Sequence, residues 1–210
     1  MFDLSESITP DKYWEAKTWF KEAIICRDRS FLIFTYTCFV NQNDFHGAIE
    51  ALQHANELSL KSLYLLMGKE WKWGHNPAKD IDEVFEIYFK IFPDLKKNDI
   101  MLEYIKWIKT HGNKMKQLHF DTMYGKSVNG MSIPPSKSFG NEDFNTWIDR
   151  TNNLIKVLES FFMNIGQLLG LLNEGEEKEL KRLAERSHKI RTDEKYRETM
   201  KKFVLDGLKR

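Results

Sequence analysis

Residues 45–68 read FHGAIEALQHANELSLKSLYLLMG, and this stretch decides the fold. Ala48, Leu52, Ala55, Leu58 and Leu65 recur at spacings that fall on one side of a helix. Ala51 and Ala55 are small, so a neighbouring helix can approach closely there. The pattern predicts one amphipathic helix over 45–68.

Upstream, Asn41, Gln42, Asn43 and Asp44 are turn material. Before them, Thr9 offers a cap and Pro10 suits a first helical turn. Apolar residues then recur at Trp14, Phe20, Ile24, Phe31 and Phe34. One long helix to about residue 40 is expected, with a break near 27–30 left open.

Downstream, KEWKWGHNPAKD is a polar and aromatic turn. Short amphipathic helices are expected over 80–91, ended by Pro93, and over about 99–117. The stretch 124–140, YGKSVNGMSIPPSKSFG, carries three Gly and two adjacent Pro, and an irregular loop is expected. Asn141 can cap a further helix over 141–172. Asn173, Glu174 and Gly175 read as a spacer. The charged segment after them reads as helical, broken near 187–192. Glu176, Glu177 and Glu179 suit a helix N-terminus. Strand-like alternation is nearly absent. The expected fold is an all-α antiparallel helical bundle over 1–173 with a charged helical extension over 174–210.

The 210 residues are 41% apolar and 30% charged, which suits a folded core and excludes a disordered or collagen-like chain. Charge is balanced, with 32 Lys and Arg against 31 Asp and Glu, so no global basic field points to nucleic acid. The average hides one local excess. Residues 189–210 hold eight Lys or Arg and four Asp or Glu, a net +4. That end could contact a nucleic-acid backbone or a partner protein, or pack on the bundle.

Cys26 and Cys38 lie in apolar stretches with no Cys or His at metal-ligand spacing, so buried free thiols in a reducing compartment are expected. The start, MFDLSESITPDKYW, is acidic and polar rather than a signal peptide. No apolar run reaches membrane-spanning length. A cytoplasmic location away from membranes is expected, with no metal or cofactor.

Glu50, His54, Glu57 and Lys61 follow one another at intervals of four, three and four on the 45–68 helix, and so share a face. Glu57 and Lys61 stand in the favourable order for an ion pair. The line reads either as a solvated face or as the border of a groove that positions a phosphate or a water.

AIEALQHANELSLKSLYLLMG followed by GHNPAKDIDEVFEIY resembles the HEPN superfamily of small helical domains, nearest its abortive-infection branch. Ala55, Glu57, Lys61 and His75 stand where that pattern has a small residue, a Glu, a Lys and a loop His. MKQLHFDTMYG resembles the stretch before the last bundle helix, with Tyr124 at the aromatic place. The resemblance implies a helical bundle, commonly a homodimer. It also implies a role in prokaryotic defence or toxin–antitoxin systems, with RNA as target and a cognate antitoxin or nucleotidyltransferase as partner. Many such proteins are metal-independent endoribonucleases; others are non-catalytic scaffolds. Their motif is Arg, four to six residues, then His. Here His188 alone among the histidines has an Arg at that distance, Arg182. At the place the resemblance points to, Lys116 and His119 are present without an Arg. The candidate catalytic residues are therefore His119 with Lys116, and His188 with Arg182. The candidate binding residues are Glu57, Lys61, His75 and Tyr124. A nucleotide-binding bundle would need a pocket bordered by Glu57, Lys61 and Tyr124.

Overall fold

The computed structural model describes residues 8–39, 45–71 and 80–192; His75 and residues 193–210 lie outside these. Helix α1 spans Pro10–Phe39 and opens as expected, with the Thr9 hydroxyl accepting the Lys12 N–H at 3.3 Å. It runs unbroken through residues 27–30. Helix α2 spans His46–Leu66 and lies antiparallel to α1. At one end Phe34 packs on Phe45 at 5.6 Å; at the other the Lys12 ammonium donates to the Gly68 carbonyl at 3.3 Å. Between them Ser62 donates to the Ala16 carbonyl at 2.9 Å. Ala16 and Ala55 are fully buried, which lets backbones approach.

Helix α3 spans Ile81–Ile91, and a 3₁₀ turn follows over Pro93–Lys97. Helix α4 spans Asp99–Tyr124, seven residues beyond the expected end. Met115, Leu118 and Thr122 continue its buried stripe, so tertiary burial carries the helix past its expected end. It stops at Gly125, whose φ of 82° is left-handed.

The segment 124–140 is more regular than expected. Strands β1 (Lys126–Val128) and β2 (Met131–Ile133) form an antiparallel hairpin. Asn129 and Gly130 both have positive φ, 51° and 78°, the requirement of a tight primed hairpin turn. A 3₁₀ turn at Pro135–Lys137 follows.

Helix α5 spans Asn141–Leu168. Gly140, not Asn141, is its cap residue, and the Asp143 carboxylate accepts the Gly140 N–H at 2.8 Å. The helix ends four residues before the expected 172. Gly170 adopts a φ of 67°, and the Leu171 N–H returns to the Gly166 carbonyl at 2.9 Å, a Schellman closure. Phe34 stacks on Phe144 at 3.9 Å and Tyr13 meets Phe162 at 5.5 Å, so α5 is antiparallel to α1.

Helix α6 spans Glu174–Thr192. The expected spacer is its first turn, capped by Asn173, whose side chain accepts the Glu176 N–H at 2.9 Å. The expected break at 187–192 is absent from its backbone. Leu180 and Leu183 are buried in the main core, so this part of the charged segment packs on the bundle. Among the described residues the fold is six α-helices with one short hairpin, and no helix is long and apolar enough to cross a membrane.

The core falls into two apolar clusters. The larger gathers Phe20, Leu63, Tyr88, Phe161 and Phe162 with the α6 leucines. The smaller gathers Phe45, Leu52, Leu118 and Phe144. Each such side chain stabilises the fold by about 1.5–3 kcal/mol when fully buried. Cys26 is half-buried and Cys38 exposed, a correction to the expected pair of buried thiols: the apolar stretch that contains them is helical, and one helix face meets solvent.

A polar network crosses the interior. Asn56 donates to the Leu52 carbonyl at 2.7 Å and to the Thr151 hydroxyl at 2.8 Å. Its carbonyl oxygen must then accept, and the Nε2–H of His111 donates to it at 2.7 Å. His111 stacks flat on Trp107, with ring centroids 4.8 Å apart. Arg27 is buried beside this network, donating to Asp28 at 2.8 Å and to Asn152 at 3.2 Å.

Candidate functional site: a carboxylate between two imidazoles

The docking of α4 on α2 assembles the site. Gln53, His54 and Glu57 come from one turn of α2, and His119 and Thr122 from the last turns of α4. The Thr122 hydroxyl donates to the Gln53 side-chain carbonyl, which fixes the amide. Its NH₂ then donates to Glu57 Oε1 at 3.1 Å and to His119 Nδ1 at 2.7 Å. With Nδ1 as acceptor, neutral His119 carries its proton on Nε2.

His119 Nδ1 lies 3.7 Å from Glu57 Oε1, and His54 Nδ1 lies 3.9 Å from Glu57 Oε2. One carboxylate thus serves two imidazoles, one at each oxygen. At these distances the contacts are ionic rather than hydrogen-bonded. The His119 and Glu57 side chains are 22% and 23% exposed, open enough for a ligand yet shielded enough to strengthen charge interactions.

The charges respond to one another. Burial pushes the Glu57 carboxyl up, but His54, the Gln53 amide and His119 outweigh it and leave it below the usual range. Glu57 in turn raises His54 above its ordinary value, against partial burial. The His54 imidazolium and the Glu57 carboxylate thus stabilise one another.

Of the residues singled out from sequence, Glu57 and His119 come together. Lys116 is exposed one helical turn before His119, and Tyr124 is exposed at the tip of α4. Lys61 points elsewhere: its ammonium sits over the Trp19 ring, 3.1 Å from the centroid. It also lines a cleft of about 420 Å³ with Lys12, Glu15, Leu65, Gly68, Lys69, Glu70 and Trp71. Glu57 and Tyr124 are outside that lining, so this cleft is not the pocket that a nucleotide-binding bundle would need. Arg182 is exposed on α6, which packs chiefly on α5 and α1. His188 lies on the α6 backbone with its side chain outside the described residues, as is His75 altogether.

Gln53 and Thr122 went unnoticed in the sequence. A Gln four residues before a Glu on the same helix, and a Thr three after a His, were the available signals. Among the described residues no three His, Cys, Asp or Glu side chains converge as metal ligands.

Fold and site together define an all-α bundle whose second and fourth helices present a histidine–glutamate–histidine cluster. No family model, no curated protein and no solved structure matches the chain.

Proposed function

We propose that this chain is a HEPN-like, metal-independent endoribonuclease of prokaryotic defence or toxin–antitoxin type, with His119 at its centre. The observation that carries the reading is the pair of imidazoles on the two oxygens of Glu57. Cleavage of RNA without a metal needs a proton taken from one oxygen and a proton given to another. In its neutral form, with Nδ1–H toward Glu57, His54 takes the proton of the ribose 2′-hydroxyl at Nε2, and the 2′-oxygen attacks phosphorus while the His119 Nε2–H donates to a phosphate oxygen. The bond from phosphorus to the 5′-oxygen breaks, and that oxygen takes its proton from the His54 imidazolium. The products are a 2′,3′-cyclic phosphate and a free 5′-hydroxyl. Glu57 holds both rings and stabilises the charged form of His54, while Lys116 attracts the phosphate. A second copy across the bundle face, and a cognate antitoxin or nucleotidyltransferase, belong to the same proposal.

A non-catalytic partner-binding module is the second reading. Phe120, Met123, Tyr124, Val128 and Met131 are all exposed near the end of α4, and exposed apolar groups in proximity suit a protein contact.

Purified protein incubated with total RNA and with tRNA in EDTA separates the two. Cleavage leaving cyclic phosphate ends is expected, reduced about 10²–10⁴-fold in His119→Ala and unchanged in His188→Ala. RNA left intact by the wild type with its activating partner supplied, or cleaved equally by His119→Ala, overturns the assignment.

A further inference from the structure

Asn56 is buried where three helices meet, and both polar atoms of its side chain are engaged. One N–H stays within α2, donating to the Leu52 carbonyl at 2.7 Å; the other crosses to Thr151 of α5 at 2.8 Å. The Thr151 hydroxyl donates its own proton to the Trp147 carbonyl at 2.8 Å, so toward Asn56 it can only accept. The amide is thereby fixed, and its oxygen accepts from His111 of α4 at 2.7 Å. Among the described residues the other ring nitrogen of His111, Nδ1, makes no hydrogen bond, so Asn56 alone holds this imidazole by a polar contact. The ring also lies flat on Trp107, four residues earlier on the same helix. Asn56, His111 and Thr151 are all 0% exposed, so bulk water does not compete for these bonds.

We propose that Asn56 is a positioning residue of the His119–Glu57 site: its bond to His111 holds α4 where the imidazole meets the carboxylate. The bearing of this on cleavage rests on the nuclease reading of that site. Apolar packing lays α4 on α2, but the hydrophobic effect is non-directional, whereas a hydrogen bond weakens steeply with angle. Within the placement that packing gives, the polar node therefore holds the fine distance. His119 stands eight residues beyond His111, about 12 Å along the helix. A slip of one residue moves it by about 1.5 Å, enough to end a contact of 3.7 Å. Gln53 and Thr122 also tie the two helices there. The His119 side chain is 22% exposed, however, and water can replace its bond to Gln53. The buried node has no such substitute. Asn56 adjoins Glu57 in the chain, so the node and the carboxylate move together.

The test uses the full chain and a double variant, Asn56→Leu with His111→Met. Both partners become apolar and keep their approximate size, so no buried polar group is stranded, and the melting temperature is expected to stay near that of the wild type. Proton NMR then follows the ring signals of His54 and His119 with and without Glu57→Gln. In the wild-type background both rings are expected to respond to loss of the carboxylate charge. In the double variant His54 keeps its response, because it shares a helix with Glu57, and His119 loses its own. General loosening of the fold does not split the two rings in this way. His111→Gln, which can still donate to Asn56, keeps the His119 response, and His111→Met alone loses it. In cleavage assays the double variant lowers kcat about 10²-fold with KM little changed. A His119 response intact in the double variant overturns the proposal and leaves Gln53 and Thr122 to hold the contact. If the double variant does not fold, equal His119 responses in His111→Gln and His111→Met overturn it. Wild-type protein that leaves RNA intact, while His119 responds as expected, rejects the nuclease reading and upholds the positioning role. Wild-type cleavage together with a His119 response that survives the double substitution rejects the positioning role and leaves the nuclease reading standing.

Discussion

The Lys17 ammonium lies 2.5 Å from Glu176 Oε2, with the two side chains 3% and 7% exposed. This buried ion pair joins α1 to α6. Tyr13 donates to the other Glu176 oxygen at 3.0 Å, and burial, followed by the Glu176 charge, raises the Tyr13 phenol well above its usual range. Glu179 also contacts Lys17 at 2.5 Å and Lys21 at 2.9 Å. These two lysines hold the Glu179 carboxyl down at about 2.

Removing one member of a buried pair leaves the other charged and unsolvated. Lys17→Met is expected to lower unfolding free energy by about 3–5 kcal/mol. Lys17→Met with Glu176→Leu is expected to recover much of that loss, because the double variant strands no charge. Urea unfolding of the four proteins in the cycle measures both quantities.

His111 makes the fold sensitive to acid. Burial drives its imidazole down to about 3, helped by Arg150 and Lys114. A histidine depressed in the folded state contributes stability that is complete above its unfolded value near 6.5, and that stability is lost as pH falls from there toward 3. The melting temperature of the wild type is expected to decline over that window. His111→Gln can still donate to Asn56 but cannot ionise, so its profile is expected to be flatter between pH 6.5 and the onset of carboxylate protonation. An equal slope in both proteins would falsify the assignment.

The sign is opposite at His54, which Glu57 raises. Stabilisation of this kind is present below the unfolded value and disappears as pH climbs through the folded one. At 55% side-chain exposure the energy is small, so the titration itself is the useful readout. Glu57→Gln is expected to return the His54 midpoint toward 6.5 in a proton NMR titration of the ring carbons. A midpoint unmoved by that substitution would show that Glu57 does not control His54.

Two glycines around the hairpin separate strain from crowding. At Gly130 a methyl group meets nothing within 4 Å, and only the φ of 78° is unfavourable; Gly130→Ala is expected to cost about 1–2 kcal/mol. At Gly125 a Cβ would stand 2.0 Å from the Ile133 carbonyl oxygen, and backbone must move. Gly125→Ala is expected to cost more than Gly130→Ala in thermal unfolding and to release the hairpin from the end of α4.

The helical periodicity of 45–68, the cap at Thr9 and the stop at Pro93 were all readable, because each is settled within a few residues of chain. The hairpin was missed although Asn129–Gly130 is a strong turn signal, since the flanking strands are three residues each and show no alternation long enough to read. The last seven residues of α4 were not legible because Leu118 and Thr122 read as helical only through their burial against the bundle.

Glu57 and His119 could each be picked out from their residue types and from the family resemblance, but nothing in the chain order joined them. Gln53 and His119 are 66 residues apart, and their contact exists because α4 lies antiparallel on α2 with Leu118 turned into the smaller core. Sequence by itself determined which segments are helical and which faces are apolar, because those follow from spacing along one helix. The meeting of Glu57 with His119 and of Lys17 with Glu176 was decided by tertiary structure alone, because a long-range polar contact depends on the rotation and offset of whole helices, which the packing of their apolar faces sets.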